Sequence, residues 1–110
     1  MNTHFNVGGY PIVIDMGTLE IMASATGGKW ANPLADLPET RDQAALILYG
    51  GLARMDELEK RPEGKTFDEC KELIRGLAPA QATQLFNCYT KVMTIPGEGE
   101  PPKEDDEKKS

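Results

Sequence analysis

Histidine, cysteine and tryptophan are scarce in this sequence, which has one histidine, two cysteines and one tryptophan among its 110 residues. His4 has no second histidine to join it, so a zinc site of usual composition or a Ser-His or Cys-His catalytic pair is not expected. Cys70 and Cys88 have no Cys-x-x-Cys partner. Without a visible secretory signal, they are expected to be reduced core thiols. We therefore expect no enzyme, no metal and no cofactor.

Long apolar runs and basic stretches are also missing. No segment approaches the roughly 18 consecutive apolar residues of a membrane span, so no membrane association is expected. The formal net charge is −6. Residues 97–110 contribute −3 of it, with six acids against three lysines. Binding to nucleic acid needs a basic surface, which this chain does not offer. The charge balance favours solubility and protein partners. With no visible export signal or membrane span, the chain is expected to stay in the cytosol.

The N-terminal residues, 2–14, have the pattern of a β-hairpin. Phe5 and Val7 alternate with polar neighbours, and the strand signal resumes at Tyr10 after a Gly-Gly turn. Pro11 restricts the second strand to an edge, or to a position whose amide needs no partner. Because an isolated hairpin is marginally stable, it must pack on helices or pair with a second chain, which leaves a homo-oligomer open.

A first helix is predicted over residues 16–26, with Asp15 as its N-cap and Gly27-Gly28 as its end. Residues 29–39 contain two prolines and read as a loop. Its large apolar residues, Trp30, Leu34 and Leu37, are costly to leave in water. They either pin the loop to the core or form part of a patch for a partner.

The longest helical period covers residues 40–60. Thr40 and Gln43 have the spacing of a capping box, and the helix is predicted over 41–60. Gly50-Gly51 interrupts the good helix formers at its centre. The pair either admits a neighbouring element of the same fold, which we favour, or leaves a shallow notch for a partner's helix. A third interpretation ends the helix at Tyr49 and restarts it at Leu52.

Two further helices are predicted over residues 67–76 and 79–93. Thr66 and Glu69 form a capping box for the first, and Pro79 suits the first position of the second. The fold class is α+β and mostly α: an N-terminal hairpin followed by about four helices in a small single-core bundle. Residues 1–95 are expected to be one compact domain, and the acidic residues 96–110 a disordered tail.

The order of these elements and four short stretches carry a family resemblance. The stretches are Val-Gly-Gly-Tyr-Pro-Ile-Val-Ile from Val7, Asp-Met-Gly-Thr-Leu-Glu-Ile-Met from Asp15, Ala-Leu-Ile-Leu-Tyr-Gly-Gly-Leu from Ala45 and Thr-Phe-Asp-Glu-Cys from Thr66. Together they resemble the tail assembly chaperones of long-tailed bacteriophages. Gly50 stands where alanine is commoner in that family. None of the motifs marks catalysis.

The resemblance implies a protein of the host bacterial cytoplasm that is absent from the mature virion. It would bind the tape measure protein, keep it soluble and help recruit tail tube subunits, and a longer frameshifted form is common among such proteins. The alternatives are a small virion structural subunit, or a dimeric protein-binding module or regulator without catalysis.

Candidate contact residues follow from the pattern and not from a family motif. Tyr49, Leu52 and Met55 surround the glycine pair, and Trp30 and Leu34 are the apolar bulk of the proline-containing loop. The methionines at positions 16, 22, 55 and 93 would suit an adaptable surface, although ordinary core packing explains each of them as well. We predict a protein-binding surface that includes Trp30, Leu34, Tyr49, Leu52 and Met55.

Overall fold

A computed structural model describes residues 3–35, 37–62 and 64–93 as an antiparallel hairpin followed by four α-helices. The elements are β1 His4–Val7, β2 Tyr10–Val13, α1 Met16–Thr26, α2 Thr40–Leu58, α3 Phe67–Arg75 and α4 Pro79–Met93. The predicted fold class is confirmed, with the elements in the predicted order around one buried core. The tail predicted over residues 96–110 lies outside the described residues.

Two glycines form the tight turn of the hairpin, and the pairing register of its strands allows Pro11 in β2. Gly8 and Gly9 have φ of 60° and 85°, the positive values that a type I′ turn requires. The Ile14 amide donates to the Thr3 carbonyl oxygen at 2.8 Å, so the next pair inward, His4 with Val13, is non-hydrogen-bonded. By the same alternation Pro11 lies in a non-hydrogen-bonded pair. Its missing amide therefore costs no bond within the hairpin.

Helix α1 begins and ends where the sequence predicts. The Thr18 amide donates to Asp15 Oδ1 at 3.1 Å, and the Asp15 amide donates back to Thr18 Oγ1 at 3.1 Å. This is a capping box built with threonine at the third position. The Thr18 hydroxyl also donates to the Val13 carbonyl oxygen at 2.6 Å, which ties the helix start to β2. Gly27, with φ of 73°, closes the helix in the left-handed conformation.

Helix α2 does not begin with the predicted capping box. Thr40 is already helical, and the N-cap is Glu39, which makes no side-chain capping bond. Gln43 Nε2 instead donates to the Leu37 carbonyl oxygen of the preceding loop at 2.8 Å. The Gln43 side chain thus satisfies a loop carbonyl and is not available to return to the N-cap amide. The helix ends at Leu58, two residues before the predicted end.

The glycine pair of α2 lies within an uninterrupted helix and is buried by two neighbouring elements. A Cβ placed on Gly50 would lie 2.5 Å from Met22 Cγ of α1. A Cβ placed on Gly51 would lie 2.6 Å from Ile12 Cβ of β2. The favoured interpretation, close approach within the fold, is therefore confirmed. A notch for a partner's helix and a helix broken at Tyr49 are both wrong.

The core forms around α2, which packs against α1, β2, α3 and α4. In α3, Cys70 and Ile74 are buried, whereas Phe67 and Leu73 are only partly buried. The Thr66 capping box is present, with the Glu69 amide donating to Thr66 Oγ1 at 3.1 Å. The largest side chains that are fully buried are Ile12, Ile14, Met22, Leu46, Ile47, Leu48 and Leu85.

Candidate functional site

An open groove of about 740 Å³ lies between α1 and α2, and we call it the α1–α2 groove. Its apolar lining comes from Met16, Gly17 and Ile21 of α1 and from Tyr49 and Ala53 of α2. The three α1 residues lie on the side of that helix opposite Thr18, Leu19 and Met22, which face the core. The groove is therefore formed by two helices whose inner faces are already packed.

An ion pair links the two helices that form the groove. Arg54 Nε of α2 donates to Asp15 Oδ1 at 2.8 Å and to Oδ2 at 3.1 Å, which joins α2 to the N-cap of α1. Arg54 Nη1 also donates to Glu57 Oε1 at 3.1 Å. A Cβ on Gly17 would lie 2.6 Å from Arg54 Nε. Glycine at that position therefore leaves room for the Arg54 side chain to pass close to the backbone of α1.

The pKa of Asp15 is shifted by this arrangement. Partial burial acts to raise the pKa, but the hydrogen bonds from Arg54 and Thr18 and the charge of Arg54 outweigh it. The net result is a pKa below the ordinary value for an aspartate. Asp15 is thus a carboxylate at neutral pH, and it serves as helix cap and as ion-pair partner at once.

A second hollow of about 520 Å³, the Trp30 pocket, continues the groove along the outer face of α1. It is lined by Ala23 and Trp30 among others, and it shares Glu20 and Ser24 with the α1–α2 groove. Trp30 is 52% exposed and Met16 is 48% exposed, which is unusual for side chains of this size. The two hollows together form one surface with a large apolar side chain near each end.

The five predicted contact residues do not all lie on this surface. Tyr49 lines the groove, and its ring also lies 6.0 Å from the ring of Phe67, centroid to centroid. Trp30 lines the adjacent pocket. Leu34 and Leu52 are partly buried against the core, and Met55 is half-buried on α2 outside both hollows. The structure therefore brings Trp30 and Tyr49 to one continuous surface and leaves the other three away from it.

The loop between α1 and α2 contacts the core through some of its predicted residues only. Leu34 and Leu37 pack against the core and Pro33 is fully buried. Trp30 is largely exposed, so the interpretation that it pins the loop to the core is wrong. The loop therefore contacts the core at Pro33, Leu34 and Leu37, and Trp30 near its start stays about half exposed.

Several residues of the surface have no clear signal in the sequence. Met16 was expected either in the core or as one of several adaptable methionines, and it is 48% exposed. Arg54 and Glu57 have the spacing of a helical ion pair, which usually indicates only a solvated face. The contact between Arg54 and Asp15 spans 39 residues. Only the packing of α1 on α2 reveals it.

Reactive chemistry is not apparent at the groove. Both cysteines are buried elsewhere in the fold, and burial raises the pKa of the Cys88 thiol despite the opposing charge of Lys91. Within residues 3–35, 37–62 and 64–93 there is no cluster of three or more His, Cys, Asp or Glu side chains suited to a metal ion. None of the described helices has the length and apolar character needed to cross a bilayer.

Comparison of the chain with protein-family models, curated proteins and solved structures finds no match. The geometry of the surface itself is then the main guide to what it can do. An elongated apolar segment that lay along the 11-residue α1 would meet a surface about 16 Å long, which is about three turns of an α-helix. A groove of these dimensions between helices is suited to binding a helix of another protein.

Proposed function

We propose that this chain is a protein-binding protein without catalytic activity, and specifically a tail assembly chaperone of a long-tailed phage or prophage. It binds the tape measure protein and helps recruit tail tube subunits during tail morphogenesis. It acts in the host bacterial cytoplasm and is not retained in the mature virion. The family assignment rests on the resemblance of residues 7–22, 45–52 and 66–70 to that family.

The observation that carries the binding function is the exposure of large apolar side chains along one surface. Met16 and Trp30 are each about half exposed, at 48% and 52%, and Tyr49 lies in the groove between them. Exposed apolar surface of this kind is typical of an interaction site. Methionine adapts to partners of different shape because its thioether side chain is flexible and polarisable. A long, repetitive helical partner such as a tape measure protein presents many similar apolar stripes to such a surface.

The motif that carries the resemblance has mainly a packing role in this fold. In the stretch from Leu48 to Leu52, Leu48, Gly50 and Gly51 are buried, and only Tyr49 reaches the groove. A shared motif of this kind supports a shared helix packing more directly than a shared contact surface. The contact residues of this chain are therefore inferred from exposure and position, not from the motif.

Co-expression with a candidate tape measure protein tests the proposal. We expect the full-length chain to increase the soluble fraction of the tape measure protein severalfold. The double variant Met16→Gln/Trp30→Ser should remove most of that increase. Leu58→Gln is the matched control, because Leu58 is 46% exposed and does not line either hollow. Circular dichroism of each variant verifies that it is folded.

Each outcome of this experiment is informative. A tape measure protein that stays insoluble with the unmodified chain contradicts the chaperone function. Equal solubility with the double variant contradicts the assignment of the surface. Recovery of the chain from purified virions would favour a virion structural subunit instead.

A further inference from the structure

The charges around the α1–α2 groove are predominantly negative. Glu20, Asp56 and Glu57 line the groove with Arg54 and Arg61. The two arginines are also paired with Asp15 and Glu59 respectively. These five carboxylates and two guanidinium groups have a formal charge of −3. Lys29, beside Trp30, reduces it to −2 over both hollows.

The basic groups of the groove are already engaged, whereas one acid is not. Arg54 bonds to Asp15 and Glu57, and Arg61 Nη2 lies 2.7 Å from Asp56 Oδ1. Glu20 is exposed between the groove and the Trp30 pocket, and within the described part of the chain it forms no ion pair. An incoming partner therefore meets a carboxylate at Glu20 that can accept a new contact, whereas both arginines already bond to carboxylates of the chain.

We propose that this surface selects an amphipathic helix whose apolar stripe is flanked by lysine or arginine. The apolar stripe would cover Met16, Tyr49 and Trp30, and the basic flank would face Glu20. This inference rests on the proposed function, because it assumes that the groove binds a protein segment. It adds the chemical class of that segment, which gives the chaperone a means of choosing among exposed helices.

Two other occupants are disfavoured by charge. Residues 97–110 of the chain itself carry a formal charge of −3 and would bring like charge to the groove. A second copy that docked the same surface symmetrically would oppose one acidic rim to another. Opposed like charges reduce both the rate and the strength of association. A basic helix from a different protein would instead bring opposite charge to the groove.

Fluorescence of the single tryptophan gives a direct test on the full-length chain. Three synthetic peptides of equal length serve as probes: a helix with a leucine stripe flanked by lysines, the same helix with glutamates in place of lysines, and a scrambled lysine peptide without the stripe. We expect the first to shift the emission of Trp30 to the blue as it covers the indole. We expect the second and third to bind at least tenfold more weakly.

Charge reversal at Glu20 then identifies the contact. Glu20→Lys should weaken binding of the lysine peptide by roughly fivefold to tenfold, since the substitution changes the interaction by two unit charges. Glu20→Gln should have an intermediate effect. Glu72→Lys is the control for total charge, because Glu72 is exposed on α3 and lines neither hollow. It should leave the affinity within about twofold, and added salt should reduce the difference between the two reversals.

The outcomes separate this inference from the proposed function. Equal binding of the glutamate peptide, an unchanged affinity in Glu20→Lys, or no shift of Trp30 with any peptide overturns the basic-helix preference. If the chain nevertheless keeps a tape measure protein soluble through Met16 and Trp30, the chaperone function stands without that preference. If the tape measure protein stays insoluble while the lysine peptide binds as described, the charge selection stands and the chaperone function falls.

Discussion

Substitution of Gly51 by alanine is the sharpest test of how α2 packs. The new methyl group would lie 2.6 Å from Ile12 Cβ and 3.0 Å from Ile12 Cγ2. The Cβ atom is fixed to the backbone of β2, so the clash cannot be relieved by a change of side-chain rotamer. Either α2 or the hairpin must move. Gly50→Ala is the comparison, because its nearest neighbour is Met22 Cγ at 2.5 Å, on a flexible side chain.

The expected magnitudes follow from two opposing effects. Alanine favours the helix over glycine by about 1 kcal/mol, whereas overpacking of a close-packed core costs roughly 1–3 kcal/mol and sometimes more. For Gly51→Ala the clash should exceed the gain and destabilise the fold by about 1–2 kcal/mol. In a domain of this size that corresponds to a fall in Tm of roughly 5–15 °C. Gly50→Ala should lie within about 1 kcal/mol of the unmodified chain.

Urea unfolding monitored by circular dichroism measures both variants, and a Met22→Ala background separates the two glycines. Met22→Ala removes the two Met22 atoms that a Cβ on Gly50 would meet and leaves Thr18 Cγ2 at 3.2 Å, so Gly50→Ala should stabilise that background by up to about 1 kcal/mol. Gly51→Ala should remain destabilising there, because Ile12 is unchanged. A Gly51→Ala protein as stable as the unmodified chain would show that β2 does not lie against α2 as described.

Two further perturbations probe the helix ends. Asp15→Asn keeps a capping residue but loses the ion pair with Arg54, so it should lower the free energy of unfolding by about 1 kcal/mol at pH 7. Because the folded-state pKa of Asp15 lies below its ordinary value, this stability is present above about pH 4 and is lost as the pH falls through the folded-state pKa; urea titrations in which the difference between the two proteins does not decrease as the pH is lowered below about 4 would contradict the assignment. Thr66→Ala removes a capping box and should cost about 1 kcal/mol, whereas Thr40→Ala should cost only a few tenths, because Thr40 is the first residue of its helix and not its cap. Equal losses in thermal unfolding of these two variants would contradict that distinction.

Most of the fold could be predicted because its elements are marked locally. Asp15 and Gly27 delimit α1, and Thr66 with Glu69 marks α3, through hydrogen bonds within a few residues. The helical period across Gly50-Gly51 was likewise a local signal. The cap at Thr40 was predicted wrongly, since the Gln43 side chain had a competing acceptor in the preceding loop, and the position of that acceptor depends on how the loop folds.

The surface was harder to predict than the fold. Trp30 could be selected as a large apolar residue in a suggestive place, but so could Tyr49, Leu34 and Leu52, which the fold partly buries. Which of them stays exposed depends on the path of the loop and on the rotation of α2 about its axis. The groove itself exists only between α1 and α2. No single stretch of sequence contains it.

The two faces of α1 have different consequences for how this chain can change over time. The inner face carries Thr18, Leu19 and Met22, whose substitution would disturb the core and the glycine contacts of α2. The outer face carries Glu20 and Ser24, which are exposed and take no part in that packing. Substitutions on the outer face should therefore leave the free energy of unfolding nearly unchanged. Helix α1 thus separates residues that hold the fold together from residues whose identity the fold does not constrain.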